Sequence, residues 1–148
     1  MTDAQYRAYR EHAEDRYAKD IAESGTMAWD DAVQKASEDY ARLLPKGLRT
    51  PDHHLRVAYD GDAEVGMIWL RIEARSDGLE GFVFDVEVWP DFRRRGYGRA
   101  IMTAGETFCR DRGVVSIGLN VFGSNVGARS LYEQLGYEIT SIQMRKQL

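Results

Sequence analysis

The sequence predicts a single mixed α/β domain, and three observations carry that prediction. Apolar residues recur at helical spacing over the first 44 positions, alternate at strand spacing from Leu55 to Val88, and then switch repeatedly between the two periods. With 148 residues, 43% of them hydrophobic and 30% charged, the chain suffices for one domain with its own core.

The first helix is predicted over Asp3 to Glu23, where Tyr6, Tyr9, Ala13, Tyr17 and Ile21 form a stripe and Thr2 with Gln5 has capping-box spacing. "ESGT" interrupts it. Trp29, Val33, Ala36, Tyr40, Leu43 and Leu44 repeat the stripe up to Leu44, where Pro45 cannot continue a helix and Gly47 is free to turn. Leu55, Val57 and Tyr59 alternate up to "DGD", and "EVGMIWLRIEA" resumes beyond it, which predicts a hairpin. After "RSDGLEG", Phe82, Phe84, Val86 and Val88 alternate through a third antiparallel strand. Strict alternation puts Asp85, Glu87 and Trp89 on its opposite face. Tyr97, Ile101, Ala104 and Phe108 then mark a helix, Val115, Ile117, Leu119 and Val121 a strand, and Ala128, Leu131, Tyr132 and Leu135 a short helix closed by Gly136. A last strand is expected from Tyr137 to Arg145. No repeat, linker or low-complexity tract divides residues 1–148.

The net charge of -4 is unevenly placed: residues 1–64 carry 14 acidic against 9 basic side chains, and residues 65–148 carry 10 against 11. An acidic first half argues against a general nucleic-acid binder and suits a cationic partner. No charged-then-apolar leader and no bilayer-length apolar run is present, so the default expectation is a cytoplasmic protein without a membrane partner. The single cysteine, Cys109, reads as a small core residue, and no His-plus-carboxylate cluster suggests a metal.

"WPDFRRRGYGRAIM" sets three arginines and two glycines at a helix start. Unpaired N–H groups and the positive dipole end there can hold phosphate oxygens, with Gly96 and Gly98 leaving the backbone open and Arg93, Arg94, Arg95 and Arg99 supplying charge. A tight turn beside a solvated basic face would read the same. The P-loop is excluded because no Lys-Ser/Thr pair follows, and the dinucleotide fingerprint because Ile101 replaces its third glycine.

Val88-x-Pro90, then Arg93-x-x-Gly96-x-Gly98 leading into a helix, followed by "LNVFGSNVGARSLYEQLGYE", resembles the GNAT superfamily of N-acetyltransferases. The resemblance covers Phe82 to the C-terminus in motif detail, and the preceding helices and hairpin agree in order. It implies a mixed sheet with helices on both faces and acetyl-CoA as co-substrate, without a metal. The backbone of Val86, Glu87 and Val88 would pair with the pantetheine arm, the loop from Arg94 through Tyr97 to Arg99 would hold the pyrophosphate, Asn125 would touch the cofactor, and Tyr132 would protonate the departing thiolate. A family strand normally precedes the first helix and is missing here, so an exposed sheet edge would give two copies a reason to pair as a homodimer.

A free amine near pKa 10 is only about a thousandth neutral at pH 7, so transfer needs a base or a water path. Some relatives carry a glutamate where Asn120 stands, and Asn120 cannot accept a proton. Glu87 is the first candidate and Asp85 the second, against the alternative that both are charges on an exposed sheet face. His53 and His54 at a strand start, and His12 on the first helix, are weaker candidates. The acceptor, a small-molecule or peptide amine, would border Tyr9, Tyr17, Trp29, Trp69 and Asn120, with Asp20, Glu23 and Asp30 favouring a cation. The competing reading is a non-catalytic acyl-CoA-binding sensor or regulatory module. Nucleic-acid binding through Arg93 to Arg95 lacks the stripe and the aromatic platform it needs.

Overall fold

Helix α1 runs from Asp3 to Glu23 in a computed structural model that describes residues 1–146 and 148. Its start is fixed by the predicted capping box: Gln5 N donates to Thr2 Oγ1 at 3.2 Å and Thr2 N to Gln5 Oε1 at 2.7 Å. Helix α2, Trp29–Leu43, buries Ala32, Ala36 and Tyr40 while Trp29 and Val33 face solvent. Small side chains explain the shifted stripe, because Ala18 and Ile21 of α1 meet Ala32 and Ala36 of α2 in one buried cluster.

Strands β1 (His53–Asp60), β2 (Ala63–Arg75) and β3 (Gly78–Val88) form the expected antiparallel meander, and β4 (Val114–Leu119) adds to β3 in parallel, giving the order β1-β2-β3-β4. Helix α3 (Tyr97–Arg110) makes the crossover to β4, and α4 (Val126–Gln134) follows it. Helices cover both faces. Ile68, Leu70, Ile72 and Val83 pack with Ile101, Met102 and Cys109 of α3 and Tyr132 of α4, while Met67, Trp69 and Leu55 pack with Tyr9 and Ala13 of α1 and Tyr40 of α2. Because β2 is covered twice, Val65 to Leu70 is one unbroken buried run.

Two sequence expectations change. The segment from Tyr137 to Arg145 forms no strand: it runs beside β4 without pairing, and Arg145 Nη1 donates to the carbonyls of Gly25 (2.6 Å) and Thr26 (3.1 Å) in the α1–α2 turn. The alternation of β3 also breaks, since Trp69 pairs with Asp85 but Leu70 pairs with Val83, leaving Phe84 as a bulge. Phe84 therefore joins Asp85 and Glu87 on the α1 side instead of Val86 and Val88 on the α3 side. Among the described residues β1 and β4 are the sheet's two edges. Among the described residues no helix is long and apolar enough to cross a membrane, and no group of three or more His, Cys, Asp or Glu could hold a metal ion.

Candidate active site

The bulge marks the place where β3 leaves β4. The parallel ladder between them ends at the pair Val83 and Leu119, so residues 85–88 are strand-paired only to β2 and keep an open edge on the other side. An extended ligand can add to such an edge as a further strand.

The loop beyond this edge is shaped for an anion. Arg94 (φ 63°) and Gly96 (φ 85°) both adopt left-handed conformations, and the first helical bond of α3 is donated by Ala100 to Gly96 O. Among the described residues the six N–H groups from Arg94 to Arg99 have no protein acceptor. Nothing lies within 4 Å of a Cβ built on Gly96, whereas one on Gly98 would approach Leu131 Cδ2 at 3.3 Å. Gly96 thus answers the backbone conformation, and Gly98 also the packing of α3 on α4. The exposed arginines flank this start. Arg93 Nε donates to Val88 O at 3.0 Å, Arg95 lies over the Phe92 ring at 5.9 Å, and Arg99 Nη2 donates to Gln134 Oε1 at 2.6 Å. Tyr97 Oη donates to Asp60 Oδ2 at 2.5 Å and so ties α3 to the end of β1. Unpartnered backbone donors beside the exposed guanidinium groups of Arg94 and Arg95 fit a diphosphate.

On the α1 side, the two carboxylates of β3 are held in a network. Arg16 of α1 pairs with Asp85 Oδ2 at 2.5 Å through Nη2 and with Glu87 through Nη1. Tyr9 Oη donates to Asp85 Oδ2 at 2.8 Å and meets Tyr40 Oη at 3.1 Å, and His12 Nε2 is 3.0 Å from Glu87 Oε2. The two acids diverge in acidity. Burial raises Asp85 above the usual carboxylate range despite Arg16, whereas at Glu87 the hydrogen bonds from Arg16 and His12 overcome burial and lower it. Tyr9 is raised, first by burial and then by the Asp85 charge.

Tyr132 projects from α4 into the core beneath this region, 5.8 Å from the Tyr137 ring. Its hydroxyl has no protein partner among the described residues, and its pKa is raised by burial and then by the charge of Asp85. Asn125 caps α4, with Oδ1 accepting from Ala128 N at 3.2 Å. Asp85 and Glu87 thus lie on the α1 side of β3 and Tyr132 on the α3 side, while the arginine loop follows the open edge at Val86–Val88.

The structure disperses other candidates. Trp69 is buried and stacked on Phe84 at 4.8 Å, and its Nε1 donates to His53 Nδ1 at 2.8 Å, which occupies that histidine. His54 packs on Phe108 at 5.1 Å on the opposite face of the sheet. Trp29 is exposed at the start of α2 and Asn120 is exposed just after β4. Tyr17 is half-buried, 6.4 Å from Phe122 of the loop that follows Asn120, and donates to Asp39.

Sequence reasoning missed Arg16 and underrated His12. A signal existed: Tyr9, His12 and Arg16 stand at i, i+3 and i+7 within the apolar stripe, and a charge in that stripe needs a buried partner.

A profile of the acetyltransferase (GNAT) family matches residues 7–137. The chain is 32% identical to the uncharacterized N-acetyltransferase YycN of Bacillus subtilis over 149 aligned residues, covering 100% of this chain and 96% of YycN. It is 28% identical to the uncharacterized N-acetyltransferase YdgE of the same organism, covering 100% and 95%. The crystal structure of YycN superposes with a TM-score of 0.95 over 100% of this chain and 95% of that one, at 32% identity. An aminoglycoside acetyltransferase from a soil metagenome shares the fold alone, with a TM-score of 0.59 and 18% identity over 76% of this chain and 74% of its own. With the loop, the open strand edge and these likenesses in agreement, the chain belongs to the GNAT family of acetyltransferases.

Proposed function

We propose that the protein is an acetyl-CoA-dependent N-acetyltransferase whose acceptor is a primary amine that attacks the acyl carbon directly. The observation that carries this reading is the run of six unpartnered N–H groups placed at the end of a strand with an open edge. Acetyl-CoA supplies the activated acyl group as a thioester. The N–H groups of Arg94 to Arg99 hold its diphosphate with Arg93, Arg94 and Arg95, the backbone of Val86, Glu87 and Val88 pairs with its extended arm, and Asn125 adds a side-chain contact. A backbone N–H near Val88 donates to the carbonyl oxygen as charge builds there.

Tyr132 Oη holds a proton at neutral pH, the more firmly for its raised pKa, and delivers it to the departing sulfur. Asp85 accepts the amine's proton, directly or through water. Glu87, the first candidate from sequence, is the poorer acceptor because Arg16 and His12 hold it ionised, while burial raises Asp85. Asp20, itself raised by burial, and the Tyr17 ring lie toward the acceptor side and suit a cationic amine.

A second reading, a non-catalytic acyl-CoA-binding module, draws support from Arg16, which already pairs with both carboxylates. Calorimetric titration with acetyl-CoA and with desulfo-CoA, joined to a thiol-release assay over a panel of amines, tests both. Binding with amine-dependent thiol release, lost in Tyr132→Phe by about 10²–10⁴-fold with CoA affinity kept, supports the enzyme. Binding without release from any amine supports the module. Absence of binding sinks both.

A further inference from the structure

On the α1 side of the sheet, four residues stand on one rung. His53 of β1 pairs with Arg71 of β2, Arg71 with Phe82 of β3, and Phe82 with Gly118 of β4. The rung borders the opening, since the β3–β4 ladder ends at the very next pair, Val83 and Leu119. Two of its members present donors that the chain leaves unused. His53 Nδ1 accepts from Trp69 Nε1, so the neutral ring carries its proton on Nε2, where no acceptor meets it among the described residues. Burial and then the Arg71 charge lower the His53 pKa and so favour that neutral ring. Arg71 uses a single one of its donors, Nη2 to Glu73 Oε1 at 3.0 Å, and the same oxygen also takes Arg75 Nη2 at 2.6 Å. The Phe84 ring holds both donors side by side, its centre 5.5 Å from that of the His53 ring and 5.4 Å from the Arg71 guanidinium carbon.

The rung is also left open. The Arg71 side chain is 27% exposed, and Phe82 and Phe84 are half-buried. Gly118 has neither a left-handed backbone nor a crowded Cβ site, because a Cβ built there would meet Phe82 Cδ2 at an ordinary 3.6 Å. Neither conformation nor packing demands glycine at this position, and its lack of a side chain adds nothing over the Phe82 ring.

We infer that this rung binds a carboxylate of the acceptor: the substrate is an ω-amino acid whose carboxylate accepts from Arg71 and from His53 Nε2 while its amine reaches Asp85. The inference rests on the acetyl-transfer reading above and names its acceptor. Charge is laid out for such a zwitterion, with Asp85 and the nearby Asp20 at one end and Arg71 at the other. Register sets the length. Trp69 pairs with Asp85, and Arg71 stands two residues farther along β2, about 7 Å away. An α-amino acid holds its charged groups too close together to span that distance, and a chain of about four methylenes spans it. Trp69 is then a positioning residue, since its N–H fixes which nitrogen of His53 donates.

The test pairs δ-aminovalerate with pentylamine, an amine of the same reach without the carboxylate. In thiol release from acetyl-CoA, kcat/KM is expected to favour δ-aminovalerate by about 10–100-fold, the worth of charge-assisted hydrogen bonds to one carboxylate. Arg71→Gln is expected to erase that preference through KM, and Arg71→Lys to restore part of it. Equal use of the two amines by the native protein overturns the inference and leaves the acetyl-transfer reading standing. A preference that survives Arg71→Gln at native melting temperature overturns it too. Calorimetry on the protein saturated with desulfo-CoA separates the two claims if neither amine releases thiol. Binding of δ-aminovalerate that is lost in Arg71→Gln then supports the carboxylate site while the transfer reading fails, and absence of binding overturns the inference.

Discussion

The two faces of the stretch from Asp85 to Arg99 solve opposite problems. Asp85 and Glu87 are charges paired inside the chain, by Arg16, Tyr9 and His12. The helix start at Arg94 to Arg99 is the reverse, a set of donors that no protein group meets among the described residues. Saturated groups hold a structure together and adjust each other's proton affinity, whereas unsaturated ones mark where something else is bound. Residue type alone does not distinguish them, since both regions look like clustered charge in the sequence.

Charge reversal at the unsaturated region should produce the largest effect. Arg94→Glu with Arg95→Glu removes two charge-assisted contacts worth about 1.5–3 kcal/mol each, so acetyl-CoA affinity should fall at least about 100-fold in calorimetry while the melting temperature holds. A drop in melting temperature with affinity kept would erase the distinction between the two regions.

The saturated region should respond in stability. Glu87→Gln removes one of the two carboxylates that hold Arg16 and should cost about 1.5 kcal/mol at pH 7 in urea unfolding. Because the folded state lowers the Glu87 pKa, its stabilisation is present above the unfolded value of about 4.3 and is lost as pH falls through the folded value. The gap between native and variant should therefore narrow from pH 5 to about pH 2. Asp85, raised in the folded state, works in the opposite direction in acid, its ionised form being a cost at neutral pH.

Glycines sharpen the comparison at a smaller scale. A Cβ on Gly66 would lie 2.1 Å from Glu87 O and 2.8 Å from Ile101 Cδ1, so Gly66→Ala should cost about 3 kcal/mol of stability. Gly96→Ala meets open space and has only its left-handed backbone to resist it, so thermal unfolding should register about 1 kcal/mol.

The fold was legible where a local rule acts on every residue of an element. The α1 capping box, the hairpin turn at Gly61 and the switch from strand to helix after Pro90 all stand where spacing put them. The arginine loop was legible too, because its chemistry is contiguous in sequence. What escaped depended on partners far along the chain. Arg16 and His12 lie more than sixty residues from the carboxylates they hold, and the strand expected at Tyr137 depends on pairing with the free edge of β4, beside which the segment runs unpaired. Phe84 was misassigned because a bulge is a property of two strands, visible only when both are paired.

That surplus residue has a consequence beyond its own orientation. β3 counts one position more than β2 across the same distance, and the ladder to β4 stops at the position before it. The opening beside β3 is thus set by a mismatch in length, like a seam held apart by an extra stitch, and by no particular functional group. Deleting Phe84 leaves Asp85, Glu87 and Trp89 on their present face, since regular alternation from Val83 already puts them there. Such a chain should keep its fold and its acids yet lose the gap, becoming a folded protein that no longer takes up acetyl-CoA in calorimetry. The capacity to bind would then reside in a number of residues, with their identities left to decide what is done with what is bound.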